Sequence, residues 1–152
     1  MKDDRFLTVI LIVIALLVVA SIATFFLRQD EVVYLPEDTP EAIVHNYILA
    51  ITDKDYERAY AYLAEGKNKP SYDDFESNFL FNTNNSGYKI GKTTTSGSSA
   101  YVEVTVLENS GGVFFDRYDY VEIARLLKQD GEWKLIQMPY AYWSWGWYEE
   151  EY

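Results

Sequence analysis

The chain has 152 residues, a formal net charge of -11 at pH 7 and no cysteine. A surface this acidic repels phosphate backbones and anionic lipid headgroups, which excludes nucleic acid as an expected partner. The lack of cysteine excludes disulfides, a lipid-modified cysteine anchor, thiolate nucleophiles and cysteine-ligated metal.

The most informative segment is the apolar run from Phe6 to Leu27, which contains no charged residue. At about 1.5 Å of rise per residue, a helix of this length covers a hydrocarbon core of roughly 30 Å, so the sequence predicts a transmembrane helix over 6–27. A cleaved signal peptide is the alternative, because Ser21, Ile22 and Ala23 form a small-x-small triplet. The uncleaved anchor is favoured, since the run is longer than the usual signal-peptide apolar region of about 7 to 15 residues.

The charges around this run predict its orientation. Lys2 and Arg5 precede it, whereas Arg28 is the only lysine or arginine between the run and Lys54. Because positively charged residues stay on the cytoplasmic side, residues 1–5 are predicted to be cytoplasmic and the rest of the polar chain extracytoplasmic. The sequence therefore predicts a single-pass protein of the cell membrane.

The next part of the chain predicts a linker followed by three helices. Residues 28–38 are acidic, contain a proline and show no periodicity, which is typical of a linker. Apolar residues then recur at helical spacing behind three N-terminal capping signals. The caps are Thr39 for the first helix, Asp55 for the second, and the pair Ser71 and Asp74 for the third.

From Asn82 onward the apolar period changes to two, which is typical of strands. Helices followed by a meander of antiparallel strands predict one α+β domain over 39–139, in which about three helices pack on a curved sheet. The predicted strands are Tyr88 to Thr95, Ala100 to Leu107, the long run from Val113 to Lys128, and Glu132 to Met138, the last two joined by a turn at Asp130 and Gly131.

This order of elements resembles a known group. Together with TPEAIVHNYILAITDKDYERAYAYL at the start and YVEIARLLKQDGEWKLIQMP near the end, it is similar to the nuclear transport factor 2-like superfamily, and specifically to its bacterial membrane-anchored and lipoprotein members. The resemblance implies a cone whose sheet curls around the helices, often enclosing an apolar pocket. It implies no particular reaction, because members include isomerases, dehydratases, transport factors and structural domains. The pocket-lining candidates in such a cone are Tyr47, Tyr60, Phe79 and Tyr120.

The sequence contains no recognisable catalytic set. His45 is the only histidine, and its helical position predicts an outward, solvated side chain. Asp53 and Asp55 resemble the start of a calcium loop, but Arg58 stands where that loop requires glycine, so helix capping explains them better. We predict no metal site and no cofactor.

Three acidic residues on or near the third predicted strand are the remaining route to general-base chemistry. Asp116, Asp119 and Glu122 would need to face inward, where burial raises the pKa of a carboxyl group. Alternation does not decide which of them do so, because both faces of this strand carry apolar residues.

The segment 140–152, YAYWSWGWYEEEY, is the least ordinary part of the chain. In an extended strand its alternating tryptophans would project to one side. They would then either pack on their own domain or form a binding surface for a protein, a sugar ring, a polyisoprenoid or the lipid interface, although Glu149 to Glu151 count against lipid. The second interpretation predicts that the domain folds without this tail. Its partner-binding candidates are Tyr140, Tyr142, Trp143, Trp145, Trp147 and Tyr148.

These observations predict a membrane-anchored, extracytoplasmic binding or assembly module rather than an enzyme. Its expected partner is another membrane or envelope protein, and self-association of the chain is left open. A carrier of a small apolar or envelope-derived ligand in the cone is the first alternative. An enzyme of isomerase or dehydratase type is the second.

Overall fold

A computed structural model of the protein describes residues 3–27, 33–80, 86–109 and 117–148. The chain divides into two compact units, Met1–Val33 and Tyr34–Tyr152. The first unit contains one helix, α1, over Asp3–Leu27. Its stretch Phe6–Thr24 is apolar and exposed throughout, and it is long enough to cross a membrane, a property that a signal sequence near an N-terminus shares.

The second unit begins with three helices, α2 (Pro40–Asp53), α3 (Tyr56–Ala61) and α4 (Tyr72–Leu80). All three predicted caps are confirmed. The Thr39 hydroxyl accepts a hydrogen bond from the backbone N–H of Ala42, and the Asp55 carboxylate accepts one from Arg58, both at 3.2 Å. The Ser71 hydroxyl likewise accepts the N–H of Asp74 at 3.2 Å. Each bond satisfies a donor that the first helical turn leaves without a partner.

A four-stranded antiparallel sheet follows, in the order β1-β2-β3-β4. The strands are β1 (Gly87–Ser96), β2 (Ser99–Asn109), β3 (Arg117–Gln129) and β4 (Glu132–Gln137). Asp130 and Gly131, with φ of 53° and 92°, make the predicted two-residue turn between β3 and β4. Left-handed backbone at both positions matches the twist of the strands, which is why an aspartate-glycine pair favours this hairpin. The predicted α+β class, with helices packed on a curved antiparallel sheet, is confirmed.

The inner face of the sheet carries the core. In β2, buried Ala100, Val102, Val104 and Val106 alternate with more exposed residues, as predicted. In β3 the strand register decides which side chains face the core, a question that alternation in the sequence left open. Val104 lies opposite Glu122, so Glu122 shares the inner face, whereas Val121 and Ile123 point outward.

The folded unit starts before Thr39, within the predicted linker. Asn46 is fully buried in α2, and its side-chain amide donates to the carbonyl of Leu35 and accepts from its N–H, both at 2.8 Å. The Tyr62 hydroxyl also donates to Glu37 at 2.7 Å. Because a buried amide needs partners, these bonds fix residues 34–38 against the helices. The predicted linker therefore extends no further than residue 33.

Candidate functional site

The described part of the tail folds into the domain. Tyr140–Tyr142 form a short 3-10 helix, and Trp143 is 8% exposed. Tyr142 and Tyr148 are also buried, and Trp147 is half-buried. Tyr140, at 68% exposed, and Trp145, at 81%, are the strongly exposed members of the six candidates. The predicted one-sided stripe of tryptophans is therefore wrong, and burial removes Tyr142, Trp143 and Tyr148 from the accessible surface.

Backbone conformation explains this outcome. Trp143 is extended, but Gly146 has φ of 93° and Tyr148 has φ of 63°. Alternation of side chains holds only while every residue keeps the extended conformation. The left-handed positions turn the chain back, so Trp143 and Trp147 pack inward while Trp145, at the corner, points to solvent.

Three tyrosine hydroxyls hold the tail in place, each by donating to a backbone carbonyl. Tyr47 of α2 donates to the carbonyl of Tyr142 at 2.8 Å. Tyr142 in turn donates to Ser86 at 2.7 Å, and Tyr148 donates to Ala64. The carbonyls belong to segments far apart in sequence, so these bonds tie the end of the chain to α2, to the start of β1 and to the loop after α3.

An aromatic cluster occupies the space between the helices and the tail. The ring of Trp143 lies 6.2 Å from that of Tyr47 and 5.0 Å from that of Trp147. Trp147 also stacks on Phe75 of α4 at 5.4 Å. These centroid distances are those of favourable aromatic pairs, so the tail supplies part of the domain core.

The four pocket-lining candidates do not line the cavity that the structure shows at the tail. Tyr47 and Phe79 are buried, and their rings pair with those of Trp143 and Trp147 respectively. Tyr60 is half-buried and donates to the carbonyl of Pro70 at 2.8 Å. Tyr120 donates to Glu108 at 3.3 Å. A pocket lined by these four residues therefore stays a prediction.

Burial of tyrosines predicts a loss of stability at alkaline pH. Burial raises the pKa of Tyr47 and Tyr142 well above the ordinary 10.0, and burial with the nearby Glu108 raises the pKa of Tyr120 to about 12. Above about pH 10 the unfolded chain therefore binds fewer protons than the folded chain. This stability contribution is complete below about pH 10 and falls as the pH rises through the folded values. Urea unfolding between about pH 8 and 12 measures it.

A matched pair of variants tests the cause of this alkaline loss. Tyr47→Phe should flatten the pH dependence, because it removes one buried hydroxyl that resists ionisation. Tyr140→Phe, which changes an exposed hydroxyl, should leave the pH dependence as it is. Equal slopes in both variants would contradict the assignment to buried tyrosines.

A cavity of about 380 Å³ opens beside the tail, where β4 ends. Ile136 and Met138, both buried, line the cavity at the end of β4. Trp143 and Trp147 form an apolar wall on the tail side. The remaining lining residues are polar, small or exposed, and comprise Glu122, Arg125, Gln137, Tyr140, Ser144, Trp145 and Gly146.

The polar groups of this cavity are held by the sheet. Glu122 accepts a hydrogen bond from the backbone N–H of Tyr140 at 3.1 Å through one carboxylate oxygen, Oε2. Arg125 lies opposite Tyr101 on β2, with its guanidinium carbon 6.0 Å from the ring centroid, and opposite Gln137 on β4. The cavity thus combines indole rings with a carboxylate, a guanidinium group and a carboxamide. Glu122 and the tryptophans were candidates from the sequence. No sequence pattern linked them to Arg125 and Gln137, because these two residues become neighbours only through strand pairing.

The other candidates lie away from this cavity. His45 is half-buried, and its Nδ1 lies 2.9 Å from the hydroxyl of Tyr88, so the prediction of an outward, solvated side chain is wrong. The first strand passes over this face of α2, which a helical projection does not show. Asp55 caps α3 as predicted. Among the described residues, no group of acidic and histidine side chains is placed to hold a metal ion. Asp116 lies outside the described residues.

Comparison with known proteins gives a likeness of fold. No protein-family model matches the chain, and no curated protein matches it. Among solved structures, a SEC-C motif containing protein from Rhodopseudomonas palustris aligns with a TM-score of 0.50 at 17% identity, over 66% of this chain and 77% of that one. An identity this low shows a shared fold and nothing of the activity.

Two further solved structures carry the nuclear transport factor 2 name. A variant of a protein called Rd1NTF2 aligns with a TM-score of 0.47 at 9% identity, over 64% of this chain and 92% of that one. An NTF2-like family member from Streptomyces avermitilis, provisionally assigned as a dehydratase, aligns with a TM-score of 0.43 at 10% identity, over 61% of this chain and 86% of that one. Both scores are below 0.5, so they say nothing about the function of this chain.

Proposed function

We propose that the protein is a membrane-tethered binding module whose folded domain lies outside the cytoplasm. The α1 helix is its anchor, and the cavity beside the tail is its recognition site. The observation that carries the proposal is the indole of Trp145, which is 81% exposed at the rim of that cavity.

The proposed location is supported by α1 and the charges beside it. The stretch Phe6–Thr24 is apolar and exposed along its whole length, as a lipid-facing helix must be. Lys2 and Arg5 precede it, and Arg28 alone follows it closely. Because the larger positive charge stays in the cytoplasm, this distribution supports a domain on the other side of the membrane.

The proposed binding role is supported by the difference in exposure among the four tryptophans. Trp133 and Trp143 are buried, and Trp147 is half-buried against the core. Trp145 alone among the four is exposed to solvent, and it precedes Gly146, whose φ is 93°. A large aromatic side chain exposed beside a concave surface is typical of a recognition site, because its burial on binding is favourable.

The dimensions of the site favour a slender partner. A stable interface between two folded proteins buries about 800 Å² on each side, far more than one indole and one tyrosine supply. A single ring or a single chain segment fits the cavity better. Glu122 is the one carboxylate in its lining, and the described lining residues include no histidine beside it. We therefore propose binding rather than a reaction.

The test exploits the absence of natural cysteines. A thiol-reactive photo-crosslinker that does not cross membranes is applied to intact cells carrying Ser144→Cys, at the cavity, or Thr94→Cys, on exposed β1. Both variants should be labelled from outside the cell. After irradiation, Ser144→Cys should give a discrete adduct that Thr94→Cys does not give.

Two results would contradict the proposal. Labelling of either variant only after the cells are permeabilised would place the domain in the cytoplasm. Labelling without any adduct specific to Ser144→Cys would remove the cavity as the recognition site.

A further inference from the structure

We infer that the cavity binds a neutral saccharide, with one pyranose ring stacked on Trp145. This inference rests on the proposed function and adds the chemical class of the ligand. Three properties of the cavity support it, namely its aromatic wall, its polar groups and the charge around it.

The aromatic wall consists of three indole rings, of which Trp143 and Trp147 meet edge to face at an interplanar angle of 73°. Trp143 and Trp147 are fixed by each other and by the core, with ring centroids 5.0 Å apart. Trp145 lies between them in sequence and presents its indole to solvent at the rim. A pyranose has one face made mainly of C–H groups, and such a face packs on an indole without placing polar groups against it.

The polar groups of the cavity suit the hydroxyl groups of a sugar, each of which both donates and accepts hydrogen bonds. Glu122 uses Oε2 for the N–H of Tyr140, and its second oxygen is a further acceptor. Gln137 is exposed at the end of β4 and offers a donor and an acceptor on one carboxamide. Arg125 adds donors and Ser144 adds a hydroxyl. The lining therefore supplies both kinds of partner around a ring-sized space.

Charge and size argue against other ligand classes. The formal charge of -11 disfavours phosphates and other anions. The lining holds one guanidinium group, Arg125, and one carboxylate, Glu122, so these two side chains add no net charge to attract a quaternary ammonium ion. A long acyl chain needs an apolar channel, whereas this cavity is open and partly polar. At about 380 Å³ it lies at the small end of ligand sites, which suits one or two sugar rings.

The experiment measures binding of neutral oligosaccharides to the full chain in lipid nanodiscs, since a glycoside detergent would itself present sugar rings. The probes are oligosaccharides of glucose, N-acetylglucosamine, galactose and mannose, followed by tryptophan fluorescence and titration calorimetry. We expect saturable binding of at least one of them at concentrations up to about 1 mM. Trp145→Ala should weaken that binding by about tenfold, and Trp145→Phe should weaken it less.

Matched controls separate binding from folding. Tyr118→Ala removes another aromatic side chain, 68% exposed on β3 outside the cavity lining, and should bind as the parent does. Trp145→Ala should keep the parent melting temperature, because its side chain contributes little to the core.

Several outcomes would overturn the inference. Lack of a saturable response to every oligosaccharide would do so, as would equal affinities of the parent and Trp145→Ala. A response to choline alone would assign the cavity to a cation. A protein adduct of Ser144→Cys without any saccharide response would leave the tethered binding role standing and assign the cavity to a peptide segment.

Discussion

Truncation of the chain after Pro139 is expected to abolish the cooperative thermal transition of the domain. The removed segment contains buried Tyr142, Trp143 and Tyr148. It also contains a carbonyl that pairs with fully buried Tyr47, whose hydroxyl would lose its partner. This expectation agrees with the first interpretation of the sequence, a tail packed on its own domain, and is opposite to the second, in which the domain folds without the tail.

The size of the expected destabilisation follows from the burial of these aromatic rings. Replacing one buried large aromatic side chain by alanine typically destabilises a protein by about 3 to 5 kcal/mol, and an unpartnered buried hydroxyl adds about 1 to 3 kcal/mol. A domain of this size has a total stability of about 5 to 15 kcal/mol. Loss of three buried rings together therefore exceeds what the remaining fold can supply.

Circular dichroism and calorimetry of the full-length anchored chain provide the measurement. The matched control is truncation after Tyr148, which keeps the described tail residues that pack in the core and should retain the parent transition. A chain ending at Pro139 that melts within a few degrees of the parent would show that the tail is an appendage and that the observed packing adds little.

Tyr47→Ala is expected to lower the free energy of unfolding by about 3 to 5 kcal/mol. Tyr47 is 0% exposed, and its ring contacts those of Phe75 and Trp143. Tyr47→Phe keeps the ring but leaves the carbonyl of Tyr142 without its donor, so it should lower the free energy of unfolding by about 1 to 3 kcal/mol. Chemical denaturation measures both values.

The control for this pair is Tyr118→Ala, which changes an exposed ring and should shift stability by less than about 0.5 kcal/mol. If Tyr47→Ala proved as mild as Tyr118→Ala, then α2 and the tail would not share a core. A Tyr47→Phe variant indistinguishable from the parent would instead show that water satisfies the carbonyl of Tyr142.

Local signals predicted most of the fold correctly. The caps at Thr39, Asp55 and Ser71 are confirmed because a capping bond joins residues within one helical turn and needs no tertiary context. The turn at Asp130 and Gly131 is confirmed because only left-handed backbone closes a two-residue hairpin. Both depend on a few neighbouring residues, and such residues are what a sequence displays directly.

The candidate site was predicted only in part. Trp145 and Tyr140 were among the residues expected to bind a partner, and they are the strongly exposed ones of that set. Glu122 was one of three acidic candidates, and only pairing with Val104 places it on the inner face. Arg125 and Gln137 could not be found from the sequence, because they become neighbours across the β3 and β4 pair.

The sequence by itself determined the apolar helix, the α+β order of elements and the turns, since these follow from composition, periodicity and contacts between near neighbours. Tertiary structure decided the fate of the tail. Local sequence allows both an extended strand and a folded-back segment for WSWGW. Which of the two forms depends on whether other parts of the chain provide an aromatic core against which the tryptophan rings can pack. Tyr47 and Phe75, distant in sequence, supply that core, so Trp143 and Trp147 are buried and Trp145 alone remains in water.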